Sequence, residues 1–236
     1  MADGWTLADT ASSRQAGASC FGEAARSAFL VEPMRLELTA PHSRAFSELL
    51  PLLLCGEESA VLAFAHHSQI QKWGPRARQD FTRVEIDEER HTYWLQRLRA
   101  SLPTPRTDLR LRRGVKHFFL RQSSPNPGIH LGHIAALDSA VCLILGRLRR
   151  TNACASDARV AHIFEHIHRD EARHVAIARQ YARELCSAHD LFACATETRE
   201  QLTNLMSAGA EALDTLEVCP DTLFRQLRRP PRRLFT

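Results

Sequence analysis

The sequence contains no Cys-x-x-Cys pair, although it has 7 cysteines. Cysteines scattered singly exclude a tetrathiolate zinc or iron site, because the ligands of such sites come in closely spaced pairs. Several of these cysteines stand among apolar residues, where cysteine packs as a small hydrophobe. We therefore expect buried, reduced thiols without a role in metal binding.

Long apolar runs are also missing from the sequence. The longest run, 49–54, contains Pro51 and is far too short to cross a membrane. The first residues, Met1-Ala2-Asp3-Gly4, do not show the basic region followed by an apolar region that a secretory signal requires. We therefore expect no membrane partner and a cytoplasmic location.

Aromatic residues make up only 7% of the chain, and they are not interleaved with its basic clusters. The net charge is +4, and basic residues gather at 110–116, 147–150 and 225–233. Such clusters bind nucleic acid in some proteins, but they more often form solvated helix ends. We therefore do not expect nucleic acid to be a partner.

Strand-like alternation is absent, and helical periodicity recurs along the chain, so the predicted fold class is all-α. A first helix follows Pro41 and Ser43, carries Pro51 in its first turn and ends near Trp73. Ser156 or Asp157 is the predicted N-cap of the fourth helix. The remaining predicted helices span 76–101, 129–150, 158–187 and, more weakly, 196–218.

These elements divide the chain into three predicted parts. Residues 1–40 form a loosely structured extension, 41–190 a four-helix domain, and 191–236 an additional helix with an Arg/Pro-rich tail. The connection 102–127 is predicted to be irregular, apart from a short helical turn around 115–120. We expect the fifth helix to pack outside the bundle.

Two similar segments carry the chemistry: Asp87-Glu88-Glu89-Arg90-His91 and Asp170-Glu171-Ala172-Arg173-His174. In each, the Glu and the His are three residues apart, so they project from the same face of a helix. Apolar neighbours aim that face at a buried region, where an unpaired charge is costly. A metal ion is the partner that such pairs predict.

The other two helices each offer one inward carboxylate. Glu57 shares its helix face with apolar residues. Its neighbour Glu58 is expected to face solvent, or to contact a metal-binding side chain without binding the metal itself. Asp138 is the only carboxylate on the third predicted helix. A dinuclear carboxylate site in a four-helix bundle needs a carboxylate from each of these helices.

The region 47–187 resembles the ferritin-like di-iron carboxylate proteins, which include bacterioferritins, rubrerythrins and related oxygenases. The resemblance implies a ferritin-like four-helix bundle with a long crossover between its second and third helices. It also implies that Glu88 and Glu171 bridge two irons, that Glu57 and His91 complete one iron, and that Asp138 and His174 complete the other. Asp138 stands where the family usually has Glu. His168 is a candidate extra ligand, because some N-oxygenating members carry a further His on this helix.

The resemblance implies two Fe ions, with Mn an option at one position, and O2 as co-substrate. We expect a non-haem di-iron enzyme, an oxygenase or oxidase acting on a small organic substrate in a biosynthetic pathway with an external electron donor. An iron-oxidising or peroxide-removing protein and a tRNA-modifying hydroxylase stay open as alternatives. A homodimer also stays open.

Overall fold

The computed structural model describes residues 32–105 and 108–235, and no strand occurs among them. The predicted all-helical class is confirmed for these residues. Residues 1–31 of the predicted extension lie outside the described part, and the predicted boundaries at residues 40 and 190 stay predictions. The helices are α1 Ala40–Gln69, α2 Pro75–Ala100, α3 Asp108–Gln122, α4 Pro127–Leu148, α5 Asn152–Ala155, α6 Ala158–Leu185, α7 Ala188–Met206, α8 Ala210–Thr215 and α9 Pro220–Leu227.

Caps and prolines fix where the long helices begin. The Asp157 carboxylate accepts hydrogen bonds from the backbone N–H groups of Arg159 and Val160, at 2.9 and 3.1 Å. This confirms Asp157 as the N-cap of α6. Asn126 caps α4 in the same way. Pro51 lies inside α1 and not in its first turn, because α1 begins eleven residues earlier, at Ala40.

The connection between α2 and α4 is more ordered than the sequence indicated. It contains α3, a helix of 15 residues, where only a short helical turn was expected. Val115 and Phe118 of α3 are buried against the core, whereas Leu120 is exposed. The many basic residues of this segment conceal its short apolar face, and packing on α1 supplies what the local pattern does not.

The C-terminal region also differs from the prediction. The fifth helix, α7, starts at Ala188 and ends at Met206, and it packs directly on α4. A further helix, α9, lies in the segment predicted to be a tail, and Leu234 and Phe235 beyond it are buried. These additions therefore pack mainly against α4 and, through α8, against α1.

The four long helices form two pairs, α1 with α2 and α4 with α6, and α2 contacts α6 between the pairs. One apolar cluster, around Phe46 and Phe164, occupies one end of these helices. A second cluster, around Phe64 and Phe81, occupies the other end. The predicted ligands lie between the two clusters on every one of the four helices.

Two helices, α1 and α4, are long and apolar enough to cross a membrane, judged by length and composition alone. In each, 56% of the most apolar 18-residue window is buried inside the fold, and core helices pass the same test. The expectation concerned uninterrupted apolar runs, whereas this test averages hydropathy over 18 residues, so the expectation stays a prediction. Small and uncharged residues between the apolar ones keep the mean hydropathy of both helices high.

The cysteines only partly follow the expectation of buried, reduced thiols. Cys154 and Cys194 are free and buried, and Cys219 is free but exposed. Cys55 is disulfide-bonded, so the prediction of a reduced thiol is wrong for this residue.

Candidate metal centre

The structure brings four of the predicted ligands into one buried cluster. Each residue of the cluster offers one ligand atom, and these atoms all lie within 4.8 Å of one another. Oxygen and imidazole nitrogen donors at such separations can hold a metal ion. The cluster consists of Glu57 from α1, Glu88 and His91 from α2, and Glu171 from α6.

His91 stands at the centre of one half of the site. Its Nδ1 lies 3.1 Å from Glu57 Oε2, 3.3 Å from Glu88 Oε2 and 3.6 Å from Glu171 Oε1. A single ring nitrogen has one proton or one lone pair, so it cannot satisfy three carboxylates. A cation between these groups would satisfy all of them at once.

His174 stands at the centre of the other half, where polar atoms lack partners. Its Nδ1 lies 2.9 Å from Glu88 Oε1 and 3.7 Å from Glu171 Oε1. Despite this proximity, neither ring nitrogen of His174 has a hydrogen bond of good geometry within the described residues, and neither has Asp138 Oδ2. Buried polar atoms are normally paired. A shared cation would require ligand atoms that lie close together without hydrogen bonds between them, and these atoms are arranged in that way.

The Asp at the start of each motif serves the His of the other motif. Asp170 Oδ2 lies 3.2 Å from His91 Nε2, within hydrogen-bond distance. Asp87 Oδ2 lies 3.5 Å from His174 Nε2, in the equivalent position but slightly farther away. Each contact points the opposite ring nitrogen, Nδ1, at the carboxylates. Carboxylates that hold imidazoles in this way fix the tautomer and orientation of metal ligands.

Two arginines join these aspartates into one network. Arg90 and Arg173 both form ion pairs with Asp87. They also reach Asp170, with N–O distances of 3.5 and 3.3 Å. Sequence reasoning missed this arrangement, although the signal was present: Asp and Arg occupy the same positions in both motifs.

Burial shapes the electrostatics of the carboxylates. It raises the pKa of Glu57 and of Asp138 well above their usual values, and the nearby carboxylates raise both further. It also raises the pKa of Glu171. Glu88 is the exception, because burial raises its pKa but the neighbouring positive charge of His174 outweighs burial and lowers it.

The pKa values of the two imidazoles are also raised, but by neighbouring carboxylates and not by burial. Burial alone would lower the pKa of His91, but the charges and hydrogen bonds of Glu57 and Glu88 outweigh it and raise that pKa to about 11. Burial would also lower the pKa of His174, but the negative charge of Glu88 outweighs it and raises that pKa. Without a metal, protons therefore balance the buried negative charge. A bound cation would displace them, as metal binding to carboxylates and imidazoles generally does.

A cavity of about 70 Å³ lies beside the cluster. Carboxylates of the site form part of its wall, and Asp138 is among them. The rest of the wall is mostly apolar and comes from α1, α3, α4 and α7. The four carboxylates in the wall are Glu57, Glu88, Asp138 and Glu171.

The structure places His168 away from the cluster. Arg149 Nη1 lies 3.0 Å from His168 Nδ1, and the other side of the ring lies against Gly146 of α4. The predicted extra ligand is therefore not brought to the site. Glu58 is buried, so of the two positions expected for it, the solvent-facing one is wrong.

Fold and site together define an all-helical protein with a buried group of carboxylates and imidazoles that can hold a metal ion. Comparisons with protein families, with curated proteins and with solved structures found no match for this chain. The chemistry of the site is therefore the basis for assigning a function to the protein.

Proposed function

We propose that the protein is a non-haem di-iron enzyme that activates O2 to oxidise or oxygenate a small organic substrate. The observation that carries this proposal is the buried set of four carboxylates and two histidines beside a largely apolar cavity. Buried charge at this density is costly unless a cation compensates it.

The arrangement of the helices supports a ferritin-like bundle. The pairs α1/α2 and α4/α6 are joined by the connection that contains α3, which corresponds to the long crossover of ferritin-like folds. Each helix of the pairs supplies an inward carboxylate, and the second helix of each pair also supplies a histidine. This is the distribution of ligands that a dinuclear carboxylate site in such a bundle requires.

Within this proposal, Glu57 and His91 would hold one iron, and Asp138 and His174 would hold the other. Glu88 lies close to both histidines, which supports it, together with Glu171, as a ligand shared by the two positions. Imidazole and carboxylate ligands suit iron, with manganese an option at one position. When bound, the irons supply the reduction of O2, with electrons from an external donor.

The cavity favours substrate oxidation over iron handling. An iron-oxidising protein needs a polar route along which iron ions enter and leave. Most of the remaining wall is instead built from leucine, isoleucine, valine, alanine and phenylalanine side chains, with Ser59, Gln122 and His130 as its polar members. Apolar walls with a few convergent polar groups are typical of small-molecule sites.

The test is to load the protein with Fe(II) without oxygen, count the bound iron, and follow O2 consumption and visible absorption after mixing with O2. We expect two irons per chain and a transient absorption band. Glu88→Gln should abolish this behaviour. Glu89→Gln is the matched control, because Glu89 is the next residue on α2 but is exposed.

Two results would contradict the proposal. Continued uptake of iron beyond two ions per chain would indicate iron handling instead. If Glu88→Gln and Glu171→Gln bound iron as well as the unmodified protein, the ligand assignment would be wrong.

A further inference from the structure

The cavity beside the site is elongated along the seam between α1 and α4. Its wall runs from Leu52 to Ala63 on α1 and from His130 to Ile144 on α4. An α-helix rises about 1.5 Å per residue, so the lined stretch of α1 is about 16 Å long. A volume of about 70 Å³ spread over such a length makes the cavity narrow.

The two ends of the cavity differ in polarity and exposure. At one end, Leu52, Ile144 and Leu202 are all buried, with exposed fractions of 9, 3 and 4%. At the other end, Ala63 and His130 are partly exposed. The cavity is therefore closed and apolar at one end, and open and more polar at the other.

Helix α3 covers the middle of the cavity. A Cβ atom placed on Gly56 would lie 3.4 Å from Cζ of Phe119, so the ring of Phe119 sits on the backbone of α1 at this point. Phe119 and Gly56 both line the cavity, next to Glu57. Close approach of these walls leaves little width for a branched or bulky group.

A pair of histidines marks the open end. His67 Nε2 and His130 Nδ1 lie 3.1 Å apart and share a hydrogen bond, which fixes the orientation of the His130 ring. Burial lowers the pKa of His130 to about 4, with a further effect of His133, so the ring is neutral near pH 7. Its second nitrogen is then available to form a hydrogen bond with a polar group at the opening.

We propose that this cavity binds an unbranched aliphatic chain, with its methyl end at Ile144 and its polar head group at His130. The middle of the chain would then lie beside Glu57 and Asp138. The role of this ligand as the substrate rests on the proposed function. The prediction that the cavity binds it does not.

The experiment is a titration of the protein as purified with straight-chain carboxylates from hexanoate to octadecanoate, measured by displacement of a fluorescent fatty acid. Each methylene buried in an apolar site should tighten binding about fourfold. An extended chain advances about 1.2 Å per bond, so we expect this gain to stop near thirteen bonds, about the length of tetradecanoate. Branching near the methyl end should weaken binding by at least tenfold.

A matched pair of variants locates the methyl end. Ile144→Ala enlarges the closed end, so we expect the length limit to move one or two carbons upward. Leu145→Ala removes a neighbouring buried side chain that does not line the cavity, and it should leave the limit unchanged. Melting curves of both variants show whether either fails to fold.

Binding that keeps rising with chain length, no binding, or an equal shift of the limit in both variants would overturn the inference. Iron counts on the same preparations separate this inference from the proposed function. Two irons without a length limit would contradict the chain-binding cavity alone. A length limit without iron binding would contradict the di-iron proposal alone.

Discussion

The two halves of the candidate metal centre are built from the same motif but are not equivalent. In the α1/α2 half, Glu57 reaches His91 directly, with 3.1 Å between oxygen and nitrogen. In the α4/α6 half, Asp138 Oδ2 has no hydrogen-bond partner within the described residues. The outer contacts match in position but not in strength, because Asp170 forms a hydrogen bond with His91 whereas Asp87 lies 3.5 Å from His174 Nε2 without one.

The two halves of the site therefore differ in their inner carboxylates. The Asp138 side chain is one methylene shorter than that of Glu57, and no hydrogen bond joins it to His174 within the described residues. The α4/α6 half is therefore the looser of the two. We expect it to bind metal more weakly and to leave more room for an external molecule.

The largest expected effect is that of removing the residue both halves share. Glu88→Gln takes away a charge that lies close to His91 and His174, so metal affinity should fall more than 100-fold, above the range for losing an outer partner. Metal titration by calorimetry measures this. Glu89→Gln should behave like the unmodified protein. An equal loss in both variants would show that helix α2, and not the ligand, was affected.

The outer aspartates offer a way to weaken the two halves separately. Asp170→Asn should disturb the half that contains His91, and Asp87→Asn the half that contains His174, because each removes the carboxylate that orients one imidazole. Loss of such a partner typically costs about 10- to 100-fold in metal affinity. Stepwise binding isotherms would separate the two effects. Identical isotherms for both variants would contradict the crossed pairing.

Exchanging the inner carboxylates sharpens the comparison further. Asp138→Glu restores the missing methylene, so we expect the weaker binding step to tighten by about tenfold, or about 1.4 kcal/mol. Glu57→Asp is the reciprocal variant and should weaken the tighter step. If Asp138→Glu left both steps unchanged, the shorter side chain would not be the cause of the asymmetry.

The prediction with the least bearing on the metal centre concerns histidines outside it. The ligand imidazoles have raised pKa values, whereas burial and the charge of His130 lower the pKa of His67 from 6.5 to about 3. At His67 the unfolded chain therefore binds a proton more readily than the fold across this interval. The contribution of His67 to the stability is fully present above about pH 6.5 and should fall as the pH drops, by up to about 1.4 kcal/mol per pH unit.

Denaturant unfolding at several pH values measures this dependence. His67→Gln does not titrate, so it should flatten the decline between pH 6.5 and 4. His66→Gln is the matched control, because His66 is adjacent but exposed, and it should retain the slope. An unchanged slope in His67→Gln would show that other groups cause the acid sensitivity.

Much of the architecture was predictable because the long helices carry their own signals. Asp157 at an N-cap and the Glu-x-x-His spacing are local features, readable from a few neighbouring residues. The inward direction of Glu57 and Asp138 followed from the apolar residues on the same helix face. Local periodicity therefore located the four helices and their candidate ligands.

What could not be predicted depends on contacts between distant segments. The helix α3 has a short apolar face among basic residues, and its burial against α1 was not visible locally. The pairing of Asp87 with His174 crosses from one helix to another, so no spacing within either motif shows it. His168 is spaced from Glu171 almost as a further ligand would be. Its ring nevertheless contacts Arg149 and is not part of the metal centre.

The most direct test of the two-half account is a crystal structure of the iron-loaded protein with diffraction data at the iron absorption edge. We predict two anomalous peaks about 3.5–4 Å apart, as in other two-metal sites. One peak should lie between Glu57 and His91, and the other, weaker one between Asp138 and His174. A single peak, or peaks away from Glu88 and Glu171, would contradict the account.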